Sequence, residues 1–315
     1  MSEPSLTPVA HALPGGWRNA ESPVLRAFAR SRTVQVAAFV LLLIAIAALF
    51  APWIARQNPF DPANLDLIDA FTRPGGNGAS GFFYPLGADD QGRDVFSAIL
   101  YGLRMSLLVG VASVALSLAI GVPLGLAAGY AGGWFDTLVM RIADVQLTFP
   151  VLLVALLIFG IARGVLPEGY RDDMAVYVIV VAIGLSDWVQ YARTVRGAVL
   201  VEKHKDYVAA AQIIGRSHTG ILVRHILPNL LAPVLVIAAI SFALAIVAES
   251  TLSYLGVGLP STQPSLGTLI RIGQGFLFSG EWWILLFPGV VLLALALSVN
   301  LVGDWLRDAL NPKLQ

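Results

Sequence analysis

Six apolar stretches, each about long enough to cross a bilayer, constrain this chain more than any other feature: Val34 to Ile54, Met105 to Gly129, Thr137 to Ala162, Met174 to Ala192, Ile226 to Ala248 and Trp283 to Val302. A helix needs roughly 20 apolar residues to cover about 30 Å of hydrocarbon, where backbone polar groups find no water and must bond within the segment. Composition agrees. Of 315 residues 57% are hydrophobic and 13% charged, with a mean hydropathy of +0.76, against about 25% charged in soluble domains. The fold class expected is an all-α integral membrane protein with six transmembrane helices. Its organisation reads as an N-terminal tail (1–32), a first helix (33–55), a long loop (56–102), a membrane core (103–303) and a C-terminal tail (304–315). The tail before the first span is too long for the charged leader of a secretory signal, so that span reads as an uncleaved anchor. The loop 56–102 is too short and glycine-rich for an obvious core of its own, and TRPGGNGASG (Thr72 to Gly81) reads as mobile. The core carries no convincing internal repeat of the kind found in secondary transporters.

The net charge of zero hides an asymmetry that sets orientation. Arg18, Arg26, Arg30 and Arg32 precede the first span, whereas the loop after it is rich in aspartate. The N-terminus is therefore expected in the cytoplasm. Six crossings return the C-terminus, with Arg307 and Lys313, to that side, along with Arg193, Arg196, Lys203, Lys205, Arg216 and Arg224.

Several chemistries are excluded. With no cysteine there is no disulfide framework or thiol catalyst. No G-x-x-x-x-G-K-[ST] loop is present to cradle a nucleotide. GASG, Gly78 to Gly81, matches the G-x-S-G of rhomboid proteases, but Ser80 lies in an outer loop, while His11, His204, His218 and His225 are expected in the cytoplasm or at that face. The same histidine distribution, without H-E-x-x-H, argues against a metal centre. No catalytic residue, metal ligand or nucleic-acid partner is expected.

The segment DYVAAAQIIGRSHTGILVRHILPN, Asp206 to Asn229, falls on the cytoplasmic side. Ala209, Ala210 and Ala211 favour a slender helix able to lie close to a partner, Gly215 suits a left-handed cap, and Pro228 suits the first turn of the next helix. Taken alone, this loop equally fits contact of Lys203, His204 and Lys205 with anionic lipid.

The segment resembles the cytoplasmic EAA loop of permease subunits of ATP-binding-cassette importers, with Ala209, Ala210, Ala211, Gly215 and HILPN (His225 to Asn229) in the matching positions. The chain is similar to the dipeptide, oligopeptide and nickel permease branch from about Pro23 to Lys313. The resemblance is carried by LFAPWIA in the first span, PLGADDQGRDVFSAILYG (Pro85 to Gly102), GVPLGLAAGYAGGWFD (Gly121 to Asp136), AESTLSYLGVG (Ala248 to Gly258) and GDWLRDALNP (Gly303 to Pro312). It departs from that pattern at Ala209 for glutamate, Gln212 for arginine, Ala88 for threonine and Asn311 for aspartate. The resemblance implies one N-terminal helix plus the five-helix core of a type I importer, with the EAA-like loop at 201–226. It also implies a second homologous permease, usually a different one, two cytoplasmic ATPases holding ATP and Mg, an external solute-binding protein and a place in a bacterial cytoplasmic membrane. This chain would bind no cofactor itself. The solute would be a peptide, with nickel or another small solute as alternatives. The ATPase contact falls on Tyr207 as aromatic anchor, Ala209, Ala210, Ala211 and Gly215, with Asp206 and Arg216 at the rim. The rivals are an ion-gradient-driven carrier and a non-transporting scaffold.

The remaining candidates are acidic. Asp144, Asp187 and Glu249 would each cost about 2.5–3.5 kcal/mol at mid-bilayer, so each is expected to face protein or water. Arg141 is the expected partner of Asp144, Asp187 is expected near the cytoplasmic end of its helix, and Glu249 is the translocation-path candidate, an interface-level structural group being its alternative. Asp89, Asp90, Arg93 and Asp94 of DDQGRD are candidates for the outer gate or for meeting the binding protein, against a solvated turn. Gly121, Gly125 and Gly129 form a stripe suited to close helix packing.

Overall fold

The computed structural model describes residues 28–29, 31–61 and 65–310. Most of the N-terminal tail, with Arg18 and Arg26, lies outside the described residues, as do Arg30, His11, Asn311 and Lys313.

Long helices dominate. They are α1 (Arg32–Leu49), α3 (Val95–Ala131), α6 (Arg171–Glu202), α9 (Leu227–Tyr254) and α11 (Trp283–Ala309). Each holds a window apolar enough to cross a membrane. At 1.5 Å per residue, the 37 residues of α3 reach about 55 Å, well beyond the hydrocarbon. The first expected span stops at Leu49 and resumes as a single turn, α2 (Ala51–Ile54), with proline in its first turn.

The third expected span, Thr137 to Ala162, is not one rod. It forms α4 (Gly133–Leu147) and α5 (Val151–Val165), which meet at 95°. Pro150 accounts for the break: it offers no N–H, and its ring drives Phe149 out of the helical region. Among the described residues five helices are continuous and apolar enough to span, and α4 with α5 make up a sixth crossing if the bent pair is taken as one span.

Beyond Glu202 the chain forms α7 (Asp206–Ile213), then α8 (His218–Ile221), a π-helical stretch (Leu222–Ile226) and α9 without interruption. Pro228 stands in the first turn of α9, as expected, but π turns precede it instead of a loop. It sits inside a continuous rod that begins at His218, with the wider π turns just ahead of the missing N–H. A further helix, α10 (Leu266–Gln274), lies between α9 and α11. It is capped by Ser265, whose hydroxyl accepts from Thr268 N–H.

The glycine stripe mates α3 to α6. A Cβ on Gly121 would stand 2.4 Å from the Trp188 carbonyl oxygen, and one on Gly125 2.5 Å from that of Ala192. The helices can approach this closely only because those side chains are absent. At the far end of the pair, Lys203 Nζ donates to Gly129 O (2.9 Å) and Tyr130 Oη meets His218 Nδ1 (2.8 Å). The end of α3, the end of α6 and the start of α8 therefore share one face of the molecule.

At the opposite face the stretch Thr72 to Gly81 is a built hairpin. Strand β1 (Gly76–Asn77) pairs antiparallel with β2 (Phe83–Tyr84). Asp69 locks it by accepting from Ser80 N–H (2.9 Å), the Ser80 hydroxyl and Tyr84 Oη (3.1 Å). Burial works against the Asp69 carboxylate, but these donors together hold its pKa below the usual carboxylate range.

Candidate functional site

The expected cytoplasmic loop is an elbow with one buried and one bare face. Gly215 adopts φ +77°. Its N–H donates to Gln212 O (3.0 Å) and Arg216 N–H to Ala211 O (3.1 Å), so glycine in the left-handed region closes a Schellman cap. Val208 and Ala211 turn inward onto Val195, Val199, Ile221, Ile226 and Leu230. Ala211 is thus part of the packing rather than of the exposed face.

Tyr207 is half-buried and committed: its hydroxyl donates to Glu202 Oε2 (2.6 Å) and accepts from Asn229 Nδ2 (3.1 Å). Burial, then the bond to Glu202, pushes its pKa up. The same glutamate holds Lys205 (2.6 Å). Tyr207, the expected aromatic anchor, therefore has its hydroxyl committed to bracing α7 against α9.

What stands out on the bare face is Ile213 and Ile214, 86% and 77% exposed, beside exposed Ala209, Ala210, Gly215 and Arg216. Two adjacent bare isoleucines at a helix end, among polar residues, mark a surface that gains by being covered. Burying one such side chain is worth about 1.5–3 kcal/mol. Sequence reasoning passed over them because neighbouring apolar residues in a short helix give no periodic signal. The dipeptide Ile-Ile directly before the capping glycine was the available sign.

The DDQGRD candidates are neither a solvated turn nor an exposed gate. Asp89, Arg93 and Asp94 are buried. Asp89 Oδ1 accepts from the N–H groups of Gln91 and Arg93 (both 2.9 Å), and Arg93 Nη2 donates to Gln91 Oε1 (2.6 Å). Asp94 caps α3, accepting from Ser97 N–H (3.1 Å) and the Ser97 hydroxyl (2.6 Å). Asp90 is half-buried at the edge. Trp283 Nε1 donates to Ala88 O (3.1 Å), fastening the start of α11 to this knot. Burial pushes the Asp89 carboxyl up to about 6 despite the two N–H donors and the Arg93 charge, and raises Asp94 as well.

Within the membrane region, Asp144 pairs with Arg193 of α6 instead of Arg141, and Asp136 makes a bidentate pair with Arg196 (Nη2 to Oδ2, 2.6 Å). Glu249 is fully enclosed. Its carboxylate accepts from the hydroxyls of Ser106 (2.9 Å), Ser253 (2.8 Å) and Ser250 (3.3 Å), and Ser106 Oγ in turn accepts from Leu266 N–H (3.3 Å). This joins α3, α9 and α10. With its carboxylate taken up by serine hydroxyls and no surface exposed, Glu249 has the geometry of a clasp between helices, the structural alternative to the path role expected.

Asp187 reverses the opposite expectation. Because α6 continues to Glu202, Asp187 lies sixteen residues after Arg171 and fifteen before Glu202, at the middle of the helix. It opens into a cavity of about 250 Å³ between α3, α5, α6 and α9.

Comparison with known proteins agrees with this architecture. Residues 121–315 match the family described as binding-protein-dependent transport system inner membrane component, and residues 22–74 match the N-terminal TM domain of oligopeptide transport permease C. A putative peptide transport system permease protein of Brucella suis is 36% identical, with 94% of each chain covered. The dipeptide transport system permease protein DppC of Haemophilus influenzae is 36% identical over 91% of this chain and 93% of its own. The oligopeptide transport system permease protein OppC of Bacillus subtilis is 36% identical over 95% and 90%. Among solved structures, an inward-facing form of the MetNI methionine ABC transporter aligns with a TM-score of 0.52 and 19% identity, over 68% of this chain and 96% of that one. With matches spanning nearly its whole length, this chain belongs to the family of binding-protein-dependent transport system inner membrane components.

Proposed function

We propose that this chain is one permease subunit of an ATP-binding-cassette importer that carries di- or oligopeptides across a bacterial cytoplasmic membrane. The substrate reading rests on relatives named as peptide, dipeptide and oligopeptide permeases that match over nine tenths of their length. Its partners are a second homologous permease, two cytoplasmic ATPases that hold ATP and Mg, and an external solute-binding protein. Energy enters through α7.

The observation that carries this reading is the bare Ile213–Ile214 tip beside the Gly215 cap, mounted on a helix whose other face is packed into the bundle. Movement of a partner against the tip is transmitted through Val208 and Ala211 to α6 and α9, since packed helices shift as bodies. The contact then falls on Ile213 and Ile214 with Ala209, Ala210 and Gly215.

The experiment is uptake of a radiolabelled dipeptide into proteoliposomes holding the complete transporter and its binding protein, with and without internal ATP. An Ile213→Asp/Ile214→Asp variant is expected to assemble its two permeases normally, lose its ATPase subunits on purification and lose at least nine tenths of uptake. Uptake indifferent to ATP and collapsing with an ion gradient sinks the reading in favour of a secondary carrier.

A further inference from the structure

Among Asp136, Asp144, Asp187 and Glu249, the carboxylates carried by α4, α6 and α9, Asp187 stands apart. Asp144 and Asp136 have arginine partners, and Glu249 has its cage of serine hydroxyls. For Asp187 the neighbours are the Ser241 hydroxyl of α9 and Tyr191 of α6, which also meets Ser241. A carboxylate that opens into an apolar cavity between spanning helices is costly unless something compensates it, and such residues mark solute or ion routes.

Its surroundings are shaped for an amphipathic cation. The cavity it borders is otherwise apolar, walled by Val114, Ile183, Leu244 and Ala248 among others, and interrupted by a few hydroxyls. One of these, Ser113 Oγ, is buried and has no hydrogen-bond partner. Ser117, by contrast, is committed to the carbonyls of Ser113 and Gly184 (3.0 and 2.9 Å), and Thr251 to that of Val247 (2.7 Å). The site thus presents a carboxylate and two hydroxyls, Ser113 and Ser241, within an apolar pocket. Few polar groups in an apolar recess is the usual composition of a small-molecule site. At about 250 Å³ it falls just under the usual range of roughly 300–1,000 Å³, enough for the end of a peptide and not for a long one.

We propose that Asp187, with Ser113 and Ser241, forms a subsite for a protonated primary amine carrying an apolar side chain, as at the amino terminus of a peptide in transit. This rests on the peptide-importer reading and adds the residues that would hold one end of the solute. The carboxylate supplies charge complementarity to an ammonium, the hydroxyls take its remaining donors, and the walls take the side chain. Among the described residues that line the cavity there is no cation to compete for the carboxylate. A chain that binds amines weakly here, and releases them as α6 and α9 shift, holds the solute without trapping it.

The test is direct binding to the complete transporter in nanodiscs, without the external binding protein and without nucleotide. The probes are radiolabelled leucinamide, which is a cation, and 4-methylpentanamide, which has the same skeleton without the amine. The wild type is expected to prefer leucinamide by about tenfold, equivalent to ~1.4 kcal/mol. Asp187→Asn should abolish that preference, and Asp187→Glu should keep part of it. Equal binding of the two probes, an Asp187→Asn complex that still prefers the cation, or no binding of leucinamide overturns the subsite. Dipeptide uptake by the wild-type complex, measured in parallel, reports separately on the peptide reading. Uptake with no amine preference removes the subsite and leaves the importer standing, whereas no peptide uptake removes the reading on which it rests.

Discussion

At the residue scale, two carboxylates show how burial decides role. Glu249 is enclosed by serines from α3 and α9, and Ser106 bridges onward to the first turn of α10. Glu249→Ala would leave buried hydroxyls unsatisfied, each worth about 1–3 kcal/mol. We expect it to lower the unfolding midpoint in detergent sharply, by an equivalent of about 2–4 kcal/mol. Glu249→Gln keeps the shape and an acceptor, and should lose less than half of that while transport persists. If the glutamine variant unfolds like wild type but no longer transports, the carboxylate has a role in solute passage after all. Asp89 belongs to water-facing chemistry. Its carboxyl is raised to about 6 by burial, so the folded state favours the protonated form. That contribution to stability is full below about pH 4 and fades as the pH rises through 6. Amide protection in the outer knot should therefore rise as pH falls from 7 to 4, with Asp94 acting in the same direction, and Asp89→Asn should flatten the part centred near 6. Unchanged pH dependence in that variant would place the titration elsewhere. Neither role was readable from DDQGRD or AESTLSYLG as strings, because a charge on its own does not announce what encloses it.

At the scale of elements, hydropathy marked every spanning segment but could not see how each is bent or extended. The break at Thr148 to Pro150 lies inside one of the six apolar stretches, and a composition window averages over it. Pro150 alone permits a kink, whereas a 95° turn depends on where α6 lets α5 pack. The prolines inside α3, α9 and α11 leave those helices continuous, so the residue type alone does not distinguish a break from a tolerated kink. Helix α10 went unforeseen because nine residues fall far short of a span. The packing face of α3, by contrast, was legible in the four-residue spacing of Gly121, Gly125 and Gly129, since that period puts all three on one face, though its partner α6 was not. It supports a prediction at this scale. Gly125→Val forces a side chain into the Ala192 carbonyl, with an overpacking cost of about 1–3 kcal/mol. Gly160→Ala in α5, where an added Cβ meets nothing within 4 Å, should be neutral or mildly stabilising. Thermal unfolding of both in detergent checks this, and equal effects would mean that the α3–α6 interface has slack the glycines do not need.

At the scale of the whole molecule, the bent pair decides topology. The end of α3 is tied to the end of α6 through Gly129 and Lys203, while the start of α11 is tied to the knot at the start of α3 through Trp283 and Ala88. If α3, α6, α9 and α11 alternate in direction, α4 and α5 together must carry the chain from the α7 face to the opposite one. Helix α4 runs along the α7 half of α6, through Asp136–Arg196 and Asp144–Arg193, and Gln146 reaches the Leu185 and Ser186 carbonyls at its middle (2.7 and 3.0 Å). Helix α5 then continues against Ala175 and Ile179 of α6, completing one crossing in two pieces. Counted that way the described residues make six crossings, and the charge of the residues around Lys203, Lys205 and Arg216 predicts an inside position for the α7 face. The chain contains no cysteine, which makes the arrangement directly measurable with single substitutions. Gly169→Cys, between α5 and α6, should react with a membrane-impermeant maleimide added to intact cells. Ile213→Cys should react only after the membrane is opened, and the assembled ATPase should shield it. Labelling of both from the same side would mean that α4 and α5 form a re-entrant loop, leaving five crossings and placing the termini on opposite sides. The elbow at Gly215 would then still face one compartment, but the binding protein and the ATPase could not both reach the faces this architecture offers them.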